Sequence, residues 1–176
     1  ITNPCTRGEF CSCRTLGKRI CTTDSTSRSL GTSELNLSLA YEIPADYLHP
    51  NAGINGLFYQ SGYYMITGQG TLFPPSGPLG PDNVTDNVSQ TVLLVEGSPV
   101  VPSGYWTEPI DLDYSNMQGD LSNNNGFEPG GLIEGGVVMV TADGRGHFVE
   151  DTMDPAVFRA LVTPRGQERL PDDTLD

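Results

Sequence analysis

The sequence predicts a β-rich α+β protein: an antiparallel-sheet head with long loops, a C-terminal β-hairpin followed by a short helix, and a disulfide-stapled N-terminal arm. Three observations carry this expectation. The 176 residues include 21 glycines and 14 prolines and only 18% charged residues, which suits a loop-rich β protein better than a helical bundle. Short apolar runs of strand length recur between clusters of turn residues. The stretch GGVVMVTADGRGHFVEDTMDPAVFRAL, from Gly135 to Leu161, passes from strand periodicity to helix periodicity without a break.

The chain divides into a Cys-rich basic arm (1–32), a β-rich head (33–168) and an acidic tail (169–176). All four cysteines, Cys5, Cys11, Cys13 and Cys21, fall in the arm. An even number in a short, polar segment reads as two disulfides made in an oxidising compartment. A four-thiolate zinc site is the rival, but Cys11 and Cys13 are separated by one residue, closer than zinc ligands usually stand. A bridge between these two would be strained, so each is expected to pair outward with Cys5 or Cys21. More than half of the nine basic residues also sit here (Arg7, Arg14, Lys18, Arg19 and Arg28). A basic arm and an acidic body would favour head-to-tail contact between copies.

Within the head, SELNLSLAYEIP (Ser33–Pro44) alternates, with Leu35, Leu37 and Leu39 on one side, and predicts a half-buried strand. Two aromatic β-type runs flank Ser61-Gly62 within 54–68, and the Pro- and Gly-rich run 69–81 is loop. Val92 to Val95 is a continuous apolar run, expected as an interior strand, with a helical turn possible at Thr85–Ser89 just before it. The segment 99–131 is long and irregular, and loops of that length are usually functional or pinned by a ligand.

The closing segment is the most explicit. Val137–Thr141 and Gly146–Val149 should form a hairpin, with Asp143 and Gly144 both at positive-φ turn positions. Asp154 should cap, and Pro155 open, a helix from Ala156 to about Val162 that Pro164 stops. Its apolar face would be Val157, Phe158 and Leu161. Asp143 is therefore a turn residue, because an Asp-Gly turn needs no catalytic reason.

The net charge of −13 argues against nucleic-acid binding, since such a surface repels phosphate backbones. There is no apolar run of membrane-spanning length and no secretory signal in the sequence. The disulfide reading then implies export to an extracellular, cell-surface or periplasmic location, with either a leader removed or the chain trimmed. His49 and His147 are the only histidines, and no Gly-x-Ser-x-Gly elbow, zinc-protease motif, phosphate loop or dinucleotide fingerprint is present. An enzyme is not expected. The best ligand candidate is DLDYSNMQGDLSNNN, where Asp111, Asp113, Asn116 and Asp120 could offer hard oxygen ligands to Ca²⁺, although the spacing is not that of an EF-hand. Glycosylation sequons at Asn36, Asn83 and Asn87 read as chance matches.

Four segments resemble, in order, a large family of planctomycete-type proteins of unknown function that carry a prepilin-type N-terminal helix and a C-terminal H-x9-DG motif. They are NAGINGLFYQ (Asn51–Gln60), VTDNVSQTVLLVEG (Val84–Gly97), YWTEPIDLDY (Tyr105–Tyr114) and the run from Glu134 to Glu168. Ile133 stands where the motif histidine would be, Asn87 stands where Gly is frequent, and the cysteine arm and prepilin helix have no match. The resemblance implies a pilin- or pseudopilin-like secreted head with no catalytic residues to carry over, and with calcium in a head loop as a familiar feature. The expected function is a structural subunit of a filament, surface layer or larger extracellular complex, partnered by its own copies or by other secreted subunits. The alternative is a calcium-dependent, carbohydrate-directed binding module that would use Tyr105, Trp106 and the aromatics Phe58, Tyr59, Tyr63 and Tyr64.

Overall fold

The computed structural model describes residues 11–12, 20–21, 39–48, 61–97, 106–107, 110–121, 125–131, 133–171 and 174–175. Its centre is a four-stranded antiparallel sheet in the order β3-β5-β7-β8: β3 Tyr63–Tyr64, β5 Val92–Glu96, β7 Gly136–Thr141 and β8 Gly146–Glu150. Two small ladders complete the described strands. β1 (Cys11–Ser12) pairs antiparallel with β2 (Ile20–Cys21), and β4 (Ile66–Thr67) pairs in parallel with β6 (Leu112–Asp113). One face of the main sheet is covered by helix α1, Pro155–Val162. The head is thus β-rich α+β with an antiparallel sheet, as the composition and periodicity predict.

The hairpin β7–β8 and helix α1 follow directly from their local sequence. Val137 pairs with Val149 and Met139 with His147, so Val137, Met139 and Val149 lie on the inner face, all 4% exposed or less. The Asp154 carboxylate accepts the Ala156 N–H at 2.7 Å, Pro155 occupies the first turn, and the helix ends at Val162. Phe158, Leu161 and Val162 are the residues that α1 buries, while Val157 is only half-buried. They meet Val95, Met139 and their neighbours in one apolar cluster, which is the main source of stability for a head of this size.

The turn differs from expectation. Gly144 alone has a positive φ (+85°), and Asp143 does not. The Thr141 N–H bonds the Arg145 carbonyl and the Gly144 N–H bonds the Thr141 carbonyl, both at 2.9 Å, so the loop has three residues. That is a type I turn followed by a left-handed glycine, and only a two-residue loop would need positive φ at both Asp and Gly.

The strand predicted over Ser33–Pro44 also fails where the structure describes it. Leu39 and Ala40 are helical, and the Glu42 N–H closes back on the Leu39 carbonyl at 3.0 Å. The run ELNLSLA holds no β-branched residue, so its leucines and alanine suit a helix as well as a strand. Residues 33–38 lie outside the described residues.

β5 does become an interior strand, but not a regular one. Val92 pairs with Thr141 and Leu94 with Val140, a register shift that marks a bulge. The bulge explains why Val92 and Val95, three apart, are both buried, while Leu93 and Leu94 are only half-buried. Before the strand, Val88–Gln90 forms the helical turn, capped by the Asn87 carboxamide oxygen.

The described parts of the long segment after β5 are pinned by the protein itself. Glu96 and Glu128 are both fully buried. The Glu128 carboxylate accepts the N–H groups of Gln118 and Gly119, the latter at 3.1 Å. One Glu96 carboxylate oxygen accepts the Val138 N–H at 3.0 Å, and its main-chain carbonyl accepts the Gly130 N–H at 3.1 Å. Arg159 of α1 closes the other side, donating to the Met117 carbonyl at 2.7 Å with its guanidinium 4.9 Å from the Tyr114 ring centre.

The described part of the acidic tail lies on its own head. Leu170 and Leu175 pack against the core, Gln90 donates to the Pro171 carbonyl at 2.6 Å, and the Leu175 carbonyl meets His147 Nδ1 at 2.8 Å.

Replacing Glu128 by Ala should strand two inward N–H groups and destabilise the fold by roughly 2–4 kcal/mol. Urea unfolding of Glu128→Ala measures this, and Glu128→Gln, which keeps one acceptor, should lose about half as much.

Candidate functional site

The short parallel ladder β4–β6 builds one wall of a concavity among the described residues. Ile66 pairs with Leu112 and Thr67 with Asp113, both ladder leucine and isoleucine turning into the core. Two residues per strand make a weak ladder, and side chains reinforce it. The Asp111 carboxylate accepts the Met65 N–H at 3.3 Å, and the Thr67 hydroxyl donates to the Leu112 carbonyl at 3.3 Å. Across from it, the Pro-rich run returns on itself, with the Leu79 N–H on the Leu72 carbonyl and the Gly77 N–H on the Pro74 carbonyl, both at 2.9 Å. Between them opens a groove of about 900 Å³. Phe73, Pro74, Pro75 and Pro78 form its apolar wall, and Asp111, Asp113 and Ser115 lie on the opposite one.

Of the four predicted calcium ligands, the structure brings two to this groove. Asp111 and Asp113 line it, whereas Asn116 and Asp120 do not. Both aspartates already hold backbone. Asp113 Oδ1 caps the turn Tyr114–Asn116, accepting the Ser115 N–H at 2.9 Å and the Ser115 hydroxyl at 2.8 Å. These bonds hold the Asp113 carboxyl below its ordinary range. Among the described residues, no three His, Cys, Asp or Glu side chains gather closely enough to hold a metal ion. A cation in the groove would therefore rest on two carboxylates, with main-chain oxygens or water completing its shell.

Of the aromatics proposed as a carbohydrate platform, the described Tyr64 and Trp106 are spent on structure. Tyr64 is buried in the core. Trp106 donates its indole N–H to the Leu39 carbonyl at 3.2 Å and leans on Tyr47, with ring centres 5.7 Å apart. Tyr63 sits opposite Glu96, and its hydroxyl titrates above the usual range because of burial first and the Glu96 charge second. Phe58, Tyr59 and Tyr105 lie outside the described residues, as do His49, Cys5, Cys13 and the Asn36 sequon. Cys11 and Cys21 are partners in the β1–β2 backbone register. Asn83 and Asn87 are exposed, but their side-chain oxygens accept from Arg165 and Ser89.

The hairpin end carries the other polar cluster. The Thr141 hydroxyl, fully buried, donates to Asp143 Oδ1 at 2.6 Å and stands 3.4 Å from His147 Nε2. Asp143 also accepts the Arg145 N–H at 3.2 Å and pairs with its guanidinium at 3.5 Å. The Thr141 hydroxyl is the chief reason the Asp143 carboxyl titrates below its ordinary value, aided by Arg145 and His147. The Thr141 hydroxyl is thus sealed inside the turn, where its bonds to Asp143 and the Arg145 carbonyl close the loop. Sequence reasoning identified the turn and Asp143 but missed Glu96 and Glu128. The available signal was a lone acid after an apolar strand (VLLVEG) and another inside GFEPGG, stretches with no other charge.

Because the folded Asp143 pKa is depressed, its contribution is present above the unfolded carboxylate range and lost as pH falls through the folded value. Asp143→Asn should lower the urea midpoint at pH 7, and its difference from the parent should shrink as the pH falls through the folded Asp143 value. Equal loss across that range would show that the charge contributes nothing to the turn.

No protein-family model, no curated protein and no solved structure matches this chain.

Proposed function

We propose that this chain is a non-enzymatic, secreted, pilin-like structural subunit of a filament, surface layer or larger extracellular complex. The observation that carries the reading is the margin of the main sheet, which no strand covers among the described residues. β8 is its last strand, and Phe148 on that strand is 52% exposed, with Ile133 at 43% on the segment leading into β7. An open edge bearing a large apolar side chain is a surface that proteins otherwise cover or blunt with charge. The use of Asp111, Asp113, Glu96 and Glu128 as acceptors for backbone N–H groups also suits a scaffold, because each fixes a loop.

A second reading is favoured by the groove: a calcium-dependent extracellular binding module with Asp111 and Asp113 as the ligands on one wall. One set of measurements separates the two. Light scattering and electron microscopy of the purified protein should find particles larger than a monomer whose size is unchanged by a calcium chelator. Calorimetric titration should find no saturable calcium binding. Saturable calcium binding to a monomer, abolished by Asp111→Asn with Asp113→Asn, would instead support the binding module.

A further inference from the structure

The phase of the β7–β8 ladder decides what β8 offers to its other side. The Thr141 N–H bonds the Arg145 carbonyl at one end, and the Asp151 N–H bonds the Gly135 carbonyl at the other, at 3.1 Å. With Met139 opposite His147 and Val137 opposite Val149, the hydrogen-bonded positions of β8 and its flanks are Arg145, His147, Val149 and Asp151. Gly146, Phe148 and Glu150 therefore turn their own N–H and C=O groups away from β7, toward the free edge. Among the described residues no strand pairs with them. On the outer face, the Phe148 ring lies across Gly136, where a Cβ would collide with it, so glycine there lets the ring lie flat against the sheet. The described tail contacts the opposite face, through His147.

We infer that a second copy of this chain pairs with this edge, β8 against β8, antiparallel and centred on Phe148. The inference rests on the assembly reading above and names its contact. The self-complementary charge pattern selects this occupant. Centred on Phe148, the pairing sets Phe148 against its own copy, Gly146 against Glu150, and Arg145 against Asp151, twice by symmetry. Arg145 is available for this, with its side chain 77% exposed and its carboxylate partner at the tip of the same hairpin. The three outward residues supply both donors and acceptors, as antiparallel strand addition requires. Opposite charges facing across the new ladder favour this register, and sliding the strands by two residues would lose them.

The test is sedimentation equilibrium of the purified full chain together with three variants. The parent should dimerise at micromolar concentration. Phe148→Pro removes the ring at the centre of the pairing and an N–H that faces away from β7, a place where an edge strand tolerates proline, and should be monomeric. Asp151→Arg sets like charges opposite each other and should weaken dimerisation about tenfold, and adding Arg145→Asp should restore it to within about twofold of the parent. Circular dichroism checks that each variant is folded, and if the proline variant is not, the charge-swap pair decides alone. Undiminished association of Phe148→Pro, or no recovery in the double charge swap, overturns this pairing while leaving the assembly reading standing. A parent that stays monomeric at millimolar concentration overturns both. Slow hydrogen exchange at Gly146, Phe148 and Glu150 in such a monomer would place a segment of the same chain on the edge.

Discussion

The head depends on two carboxylates that never see water. Glu96 and Glu128 are fully buried, and each accepts main-chain N–H groups at a place where the regular ladder has no partner to give. At Glu96 the β5–β7 pairing ends, and the Val138 N–H bonds the side chain instead of a strand carbonyl. At Glu128 the irregular run through Gln118 and Gly119 is drawn against the segment 125–131. Buried backbone groups left without partners are costly, and a carboxylate can satisfy two of them at once. Without these acids, a loop rich in glycine, proline and asparagine would have no reason to adopt one conformation.

That constraint shapes the surface as well as the core. Holding 117–121 in place puts Met117 and Leu121 under α1, and Arg159 then reaches the Met117 carbonyl and the Tyr114 ring. The same placement sets Leu112 and Asp113 alongside Ile66 and Thr67, so the groove beside Asp111 and Asp113 follows from how the irregular segment is anchored. Asp111, Asp113 and the buried Glu128 thus belong to one loop system, anchored beside Glu96 at the end of β5. Their shared work is to bind backbone, which is why a chain so rich in Asp and Glu can fold tightly around a segment without regular structure.

The legible parts of the sequence were those in which local pattern and local chemistry agree. The hairpin, the Asp154 cap, Pro155 and the Phe158–Leu161 face could be read directly, because periods of two and of 3.6 leave little choice there. The interior character of β5 was equally plain, but its bulge was not, since a register shift is a property of two strands. The Leu35–Leu39 alternation misled at its described end because alternation without β-branched residues is weak evidence for a strand. The candidate ligand residues were half legible: Asp111 and Asp113 share a wall, while Asn116 and Asp120 turn elsewhere around a tight turn that Asp113 itself caps.

By itself, the sequence determined that the protein is β-rich, acidic, closed by a hairpin and helix, and free of the local motifs by which many enzymes are recognised. Those are properties of composition and of neighbours in the chain. Only the tertiary structure decided, among the described residues, which acids are buried, where 110–121 and 125–131 lie, that Leu170 and Leu175 pack onto the head, and that β8 ends the main sheet. Each of these depends on residues far apart in sequence meeting in space, as when Glu96 meets Val138 or His147 meets Leu175. No one-dimensional period encodes such meetings.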